Sequence, residues 1–142
     1  MTRQRRSSGY TLLEIMVVVF ILGLLATIVA PRIMGRTDEA RRTKAVADLA
    51  GIAQALNLYR LDNGDYPTTE QGLEALVERP TAPPLPKAWR AGGYLDHLPA
   101  DPWGTPYVYV RLAAQRYTLK SLGSDAAEGG DGTAADIDGH AN

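Results

Sequence analysis

From Tyr10 to Ala30 the chain is apolar except for one charged residue, Glu14. A run of about 20 apolar residues is what a helix needs to cross a bilayer core, so the segment 10–30 reads as a transmembrane helix. Glu14 does not suit that reading. An ionised carboxylate at bilayer depth costs roughly 2.5–3.5 kcal/mol on insertion scales, and no Lys or Arg lies within the run to offset it. Cleavage between Gly9 and Tyr10 would create a positive charge, the free amine of Tyr10. The preceding residues 1–9 are short, basic and polar, with Arg3, Arg5 and Arg6, and end in a small residue directly ahead of the apolar run. An ordinary secretory signal is cut after its apolar part instead. A plain single-pass anchor explains the run but gives Glu14 no purpose.

With about 30 of the 142 residues taken by leader and apolar run, the remainder is one small domain, 31–142. The chain has no Cys, which excludes a disulfide framework and thiolate chemistry, and its net charge of −1 offers no bulk attraction to nucleic acid. His97 and His140, its only histidines, stand in no triad or metal spacing, and no Gly-x-Ser-x-Gly occurs. A membrane-tethered hydrolase therefore lacks a site, and no enzymatic activity is expected. The basic leader favours retention on the cytoplasmic side. Arg32, Arg36, Arg41, Arg42 and Lys44 on the far flank oppose that tendency, partly offset by Asp38 and Glu39.

Beyond Ala30, Pro31 removes a backbone donor and predicts a kink. Ala45, Leu49, Ile52, Leu56 and Tyr59 then recur at spacings of 4, 3, 4 and 3, an amphipathic helical stripe that runs to about residue 62 before Asp62-Asn63-Gly64-Asp65 stops it. The apolar N-terminal half of such a helix has two physical homes, a bilayer or a bundle of like helices. Around Arg41 and Arg42, interleaved acids and the absence of aromatics predict a solvated face rather than a nucleic-acid patch. Thr68 with Gln71 fits a capping box ahead of Leu73, Leu76 and Val77, which predicts a short second helix. The four prolines from Pro80 to Lys87 predict an extended loop, and Trp103 is expected to anchor the next irregular stretch on the long helix. Tyr107–Arg111 and Arg116–Ser121 read as a β-hairpin turning near Ala113 to Gln115. The acidic stretch 122–138 holds five carboxylates and four glycines with no positive charge. It is either a solvated tail or a loop that takes a cation, with calcium suited to carboxylates and inward-turned carbonyls.

Gly9, an aromatic, Thr11-Leu12-Leu13-Glu14 and then the apolar run resemble the leader of type IV pilins and pseudopilins. This resemblance implies cleavage between Gly9 and Tyr10 by a prepilin peptidase and N-methylation of Tyr10, where the family most often has Phe. Tyr66-Pro67-Thr68-Thr69-Glu70-Gln71-Gly72-Leu73, Gly93-Tyr94-Leu95 with Leu98-Pro99-x-Asp101-Pro102-Trp103-Gly104, and Ser121-Leu122-Gly123-x-Asp125 with Asp136-Ile137 look like the major pseudopilins of type II secretion systems. The resemblance implies an α+β, type IV pilin-like fold, with a long N-terminal helix on a small antiparallel sheet. It also implies a structural homopolymer, the pseudopilus, that grows from the inner membrane and drives folded proteins across the outer membrane. The partners implied are further copies of the chain, minor pseudopilins and an inner-membrane assembly platform, with the C-terminal domain in the periplasm. Glu14 would pair with the Tyr10 amine of a neighbouring subunit. One calcium ion is implied on Asp125 and Asp136, with the carbonyls of Leu122, Ala127 and Gly130. Ala135 stands where the family often has a second acid, which leaves Asp131 or water to supply that ligand. A type IV pilin is the alternative, disfavoured by the absence of Cys; an anchored calcium-binding periplasmic protein is another, which leaves Glu14 unexplained.

Overall fold

A computed structural model describes residues 10–139, with side chains for all of these but 28–36. Two units are present, Met1–Thr37 and Asp38–Asn142. The elements in chain order are helix α1 (Leu12–Asn63), a 3₁₀ turn (Leu73–Leu76), and strands β1 (Val108–Ala113), β2 (Arg116–Ser121) and β3 (Ile137–Gly139). This is the expected α+β arrangement of one long helix and a small antiparallel sheet. Helix α1 is a single assigned element that includes Pro31. It ends one turn after Tyr59, where the Gly64 N–H donates to the Arg60 carbonyl at 2.7 Å.

Within the second unit, the predicted stripe is the helical side of the core. Ala45, Leu49, Ile52, Leu56 and Tyr59 are all buried, as are Tyr107, Tyr109, Tyr117, Leu119 and Ile137 from the sheet side. Each Leu or Ile side chain so buried stabilises by about 1.5–3 kcal/mol. The sheet has strand order β1-β2-β3, antiparallel throughout. The hairpin is as predicted but shifted: β1 begins after Tyr107 and reaches Ala113, which pairs with Arg116, leaving Ala114 and Gln115 as the turn. Strand β3 was not expected, and it pairs Ser121 with Ile137 and Leu119 with Gly139. A Cβ at Gly139 would stand 3.1 Å from the Leu49 Cβ and 3.0 Å from Leu119 Cδ2, so the absence of a side chain lets this edge strand lie close on the helix.

The predicted second helix is a correction. Its capping box is present in both directions, Thr68 N–H to Gln71 Oε1 at 3.0 Å and Gln71 N–H to Thr68 Oγ1 at 3.1 Å. An α-helix does not follow, because Gly72 sits at φ 62°, outside the right-handed helical region. Only the 3₁₀ turn forms after it, still burying Leu73, Ala75 and Leu76. The proline-rich segment is without strand or helix, as expected, and the Gln71 amide holds it by donating to the Ala82 and Pro84 carbonyls. Trp103 packs against the core as predicted, and so does Trp89, whose indole N–H reaches the Ala75 carbonyl at 3.0 Å.

Tyrosines join sheet to helix. Tyr107 donates to Asp48, Tyr109 to the Pro67 carbonyl, and Tyr66 and Tyr117 stack edge-on at 4.7 Å. Burial, reinforced by the neighbouring Tyr66, pushes Tyr117 up to about 12, and burial likewise raises Tyr107 and Tyr109. Above the usual 10 the unfolded chain releases these phenolic protons while the folded chain keeps them, so stability present below pH 10 is lost as the pH rises, for Tyr117 between 10 and 12. Tyrosinate absorbance and far-ultraviolet dichroism followed together should change in one cooperative alkaline transition. Ionisation of most of these tyrosines with the fold intact would contradict this packing.

Candidate functional site

Two places carry the sequence's chemical signals. The first is the start of α1. Gly9 lies outside the described residues; Tyr10 is exposed, and Thr11 caps the helix by accepting the Glu14 N–H on its hydroxyl at 3.2 Å and on its carbonyl at 3.1 Å. Glu14 thus stands in the first turn, where a negative charge also complements the helix dipole by about 0.3–1 kcal/mol. Leu12, Leu13, Ile15, Met16, Val17, Val18 and the apolar residues after them to Leu25 are all exposed. Of the predicted membrane segment, residues 28–30 lie outside the described side chains. Among the described residues no helix is long and apolar enough to cross a membrane.

The second place is the acidic stretch between β2 and β3. It is not a loose tail: Ser124 N–H bonds the Thr133 carbonyl, Ala134 N–H the Asp131 carbonyl, and Asp136 N–H the Gly129 carbonyl, each at 3.1 Å. Asp125 closes a local turn by accepting the Ala127 N–H at 3.1 Å. Glycine is required where the loop folds on itself, since a Cβ at Gly130 would stand 2.6 Å from the Ala134 carbonyl oxygen. The root of the loop is fixed by a buried network in which Ser121 donates its hydroxyl to Asp101 Oδ2 and accepts the Gly123 N–H at 3.2 Å. Asp101 Oδ1 takes the Trp103 N–H at 2.8 Å. Both halves of this network lie in motifs visible in the sequence, but their pairing is not.

The loop's own residues carry no positive charge, yet one is delivered by β2. Lys120 Nζ lies 2.8 Å from Glu128 Oε1 and 3.3 Å from Asp136 Oδ2, and these carboxylates, Glu128 foremost, raise its pKa above the usual lysine value. Arg42 adds a weaker contact, 3.4 Å from the Gly132 carbonyl, so part of the helix face expected to be solvated reaches this loop. The other Asp136 oxygen, Oδ1, is buried and has no hydrogen-bond partner among the described residues. Among the described residues no three carboxylate or imidazole side chains gather where a metal could be held, so a cation here would draw on backbone carbonyls as well.

Residues 32–140 match the family described as type II secretion system (T2SS), protein G, and residues 4–30 match the prokaryotic N-terminal methylation motif. The chain is similar to the type II secretion system core protein G of Pseudomonas aeruginosa, 53% identical over 95% of this chain and 96% of the relative. It is also similar to that of Vibrio cholerae, 50% identical over 96% and 94%. Its fold matches the crystal structure of the major pseudopilin from the type 2 secretion system of enterohaemorrhagic Escherichia coli. That match has a TM-score of 0.63 and 42% identity, covering 74% of this chain and 90% of the other.

Proposed function

This chain belongs to the type II secretion system protein G family and is a subunit of the type II secretion pseudopilus, and from that premise we propose how its two sites serve the fibre. The family is one of structural subunits rather than enzymes. A prepilin peptidase cuts between Gly9 and Tyr10 and the new amine is methylated. The segment 10–30 holds the subunit in the inner membrane with 31–142 in the periplasm, until the assembly platform and minor pseudopilins draw it into a homopolymer that moves folded proteins across the outer membrane.

The observation that carries this reading is Glu14, the one charge in the apolar segment 10–30, whose described side chains, 10–27, are exposed. Exposed apolar surface of that extent needs a lipid or a protein partner. A carboxylate at its start needs a cation, which the Tyr10 amine of a neighbour supplies. Mass spectrometry of the membrane-extracted chain is expected to find an N-terminus at Tyr10 bearing one methyl group. An intact Met1 leader in cells with a working prepilin peptidase would contradict the maturation step.

The loop 122–138 is further proposed to take one calcium ion on Asp125, Asp136 and the carbonyls of Leu122, Ala127 and Gly130, with Asp131 as the alternative ligand. Support comes from the buried Asp136 Oδ1, which has no hydrogen-bond partner among the described residues. Bound calcium would supply the positive charge that the five carboxylates of this stretch lack within it. Binding to the folded loop alone stabilises by RT ln(1 + [Ca]/Kd), about 2.7 kcal/mol at a hundredfold excess over Kd. A calcium-dependent rise in Tm is expected, lost in Asp125→Ala and Asp136→Ala and little changed in Asp138→Ala. Asp131→Ala weakens binding if Asp131 is the replacement ligand. Identical unfolding curves with calcium and with chelator would reject the site.

A further inference from the structure

Strand β2 already delivers a cation to the acidic loop. Lys120 leaves β2 at the position paired with Asp138 on β3, and its ammonium bridges Glu128 Oε1 at 2.8 Å and Asp136 Oδ2 at 3.3 Å. The two carboxylates lie in different parts of the loop, eight residues apart in sequence, so the ammonium ties its middle to its end. The bridge is anchored on the strand side, where the Lys120 side chain is only 20% exposed, while Glu128 at 78% is the exposed end. Asp136 is the shared element. One of its oxygens is held by Lys120, and the other is buried without a partner among the described residues.

We propose that Lys120 is the built-in counter-cation of the 122–138 loop: its ammonium holds the loop closed without metal and competes with calcium for the Asp136 carboxylate. The second half rests on the calcium reading given above; the first does not. The ammonium holds Asp136 Oδ2 and leaves Oδ1 to a metal, so the competition is electrostatic: a carboxylate already neutralised through one oxygen is a weaker ligand through the other for an ion that gathers six to eight oxygens. A unit positive charge beside the site also opposes a divalent ion directly. The loop would then be ordered in two states, lysine-closed at low calcium and calcium-closed at high calcium, with Lys120 setting the concentration at which they exchange.

The test uses the full chain in detergent micelles, with Lys120→Met to keep the aliphatic stem while removing the charge, and Arg116→Met as a control that removes an exposed charge from the same strand. In chelator, the amides of Ser124, Ala134 and Asp136, whose bonds hold the loop together, are expected to exchange with deuterium at least several-fold faster in Lys120→Met than in wild type or the control. Glu128→Gln, altered at the exposed end of the bridge, should speed the same amides, which keeps the test decisive if Lys120→Met misfolds. In calcium titrations, Lys120→Met should bind on the order of ten-fold tighter than wild type, the control remaining within about two-fold. Unchanged exchange in both bridge variants overturns the proposal. Faster exchange with equal calcium affinity in wild type and Lys120→Met overturns the competition alone. If neither protein responds to calcium, the calcium reading falls, and the exchange measured in chelator still decides the role of Lys120.

Discussion

Glu14→Ala is expected to be cleaved and inserted normally and yet to enter fibres more than about ten-fold less than wild type, because stranding one member of a desolvated charge pair costs about 3–5 kcal/mol. The comparison that gives this result meaning is Glu14→Gln. Glu14 has an ordinary local explanation: with Thr11 it forms a Thr-x-x-Glu sequence at the helix start, and Thr11 does cap its backbone. A capping role accepts Gln in place of Glu and is worth about 1 kcal/mol at most in dipole energy. Pairing with the Tyr10 amine of another subunit needs the charge. Assembly and secretion should therefore fail alike in Glu14→Gln and Glu14→Ala. Recovery by Gln would reduce Glu14 to a helix cap, and wild-type secretion in Glu14→Ala would remove its role in assembly altogether.

The second large effect is expected at Asp101, which is 4% exposed and accepts from both the Ser121 hydroxyl and the Trp103 backbone. Asp101→Ala strands both donors at about 1–3 kcal/mol each and frees the root of the acidic loop, where Ser121 also receives the Gly123 N–H. A total near 3 kcal/mol corresponds to a fall in Tm of more than about 10 °C for a domain of this size. Asp101→Asn keeps an acceptor for the Trp103 N–H and puts an amide donor opposite the Ser121 hydroxyl oxygen, so it should lose less than Asp101→Ala. Thermal unfolding followed by Trp89 and Trp103 fluorescence reports this directly, and equal losses in the two variants would show that the network does not depend on its acceptors. The calcium-dependent part of Tm should also shrink in Asp101→Ala, since the loop loses its fixed starting point.

How far these features could be read in the sequence depended on their range. The stripe from Ala45 to Tyr59 and the hairpin residues announce themselves by period, and the buried faces follow that period. The capping box at Thr68 was legible and correct, but the helix inferred from it was not, because the conformation of Gly72 decides the next turn and spacing does not report it. Strand β3 has three residues, too short for alternation to register. Missing β3 meant missing Lys120, which sits just outside the acidic stretch and reaches it only once β2 and β3 pair. The Asp101–Ser121 bond joins an irregular segment to the end of β2, twenty positions away across the hairpin, and no local pattern signals it. At the N-terminus the reverse holds: the spacing of Gly9, Tyr10 and Glu14 carries the functional signal, while the helix that bears it is locally unremarkable.

The central claim, that this chain is the repeating unit of a fibre, is tested most directly by electron microscopy of filaments sheared from cells overproducing it beside a type II assembly machinery. Antibody to residues 38–139 should decorate the filaments along their length, and the chain recovered from them should begin at Tyr10. A chain that is cleaved and stable in the membrane, yet absent from every filament, would contradict it.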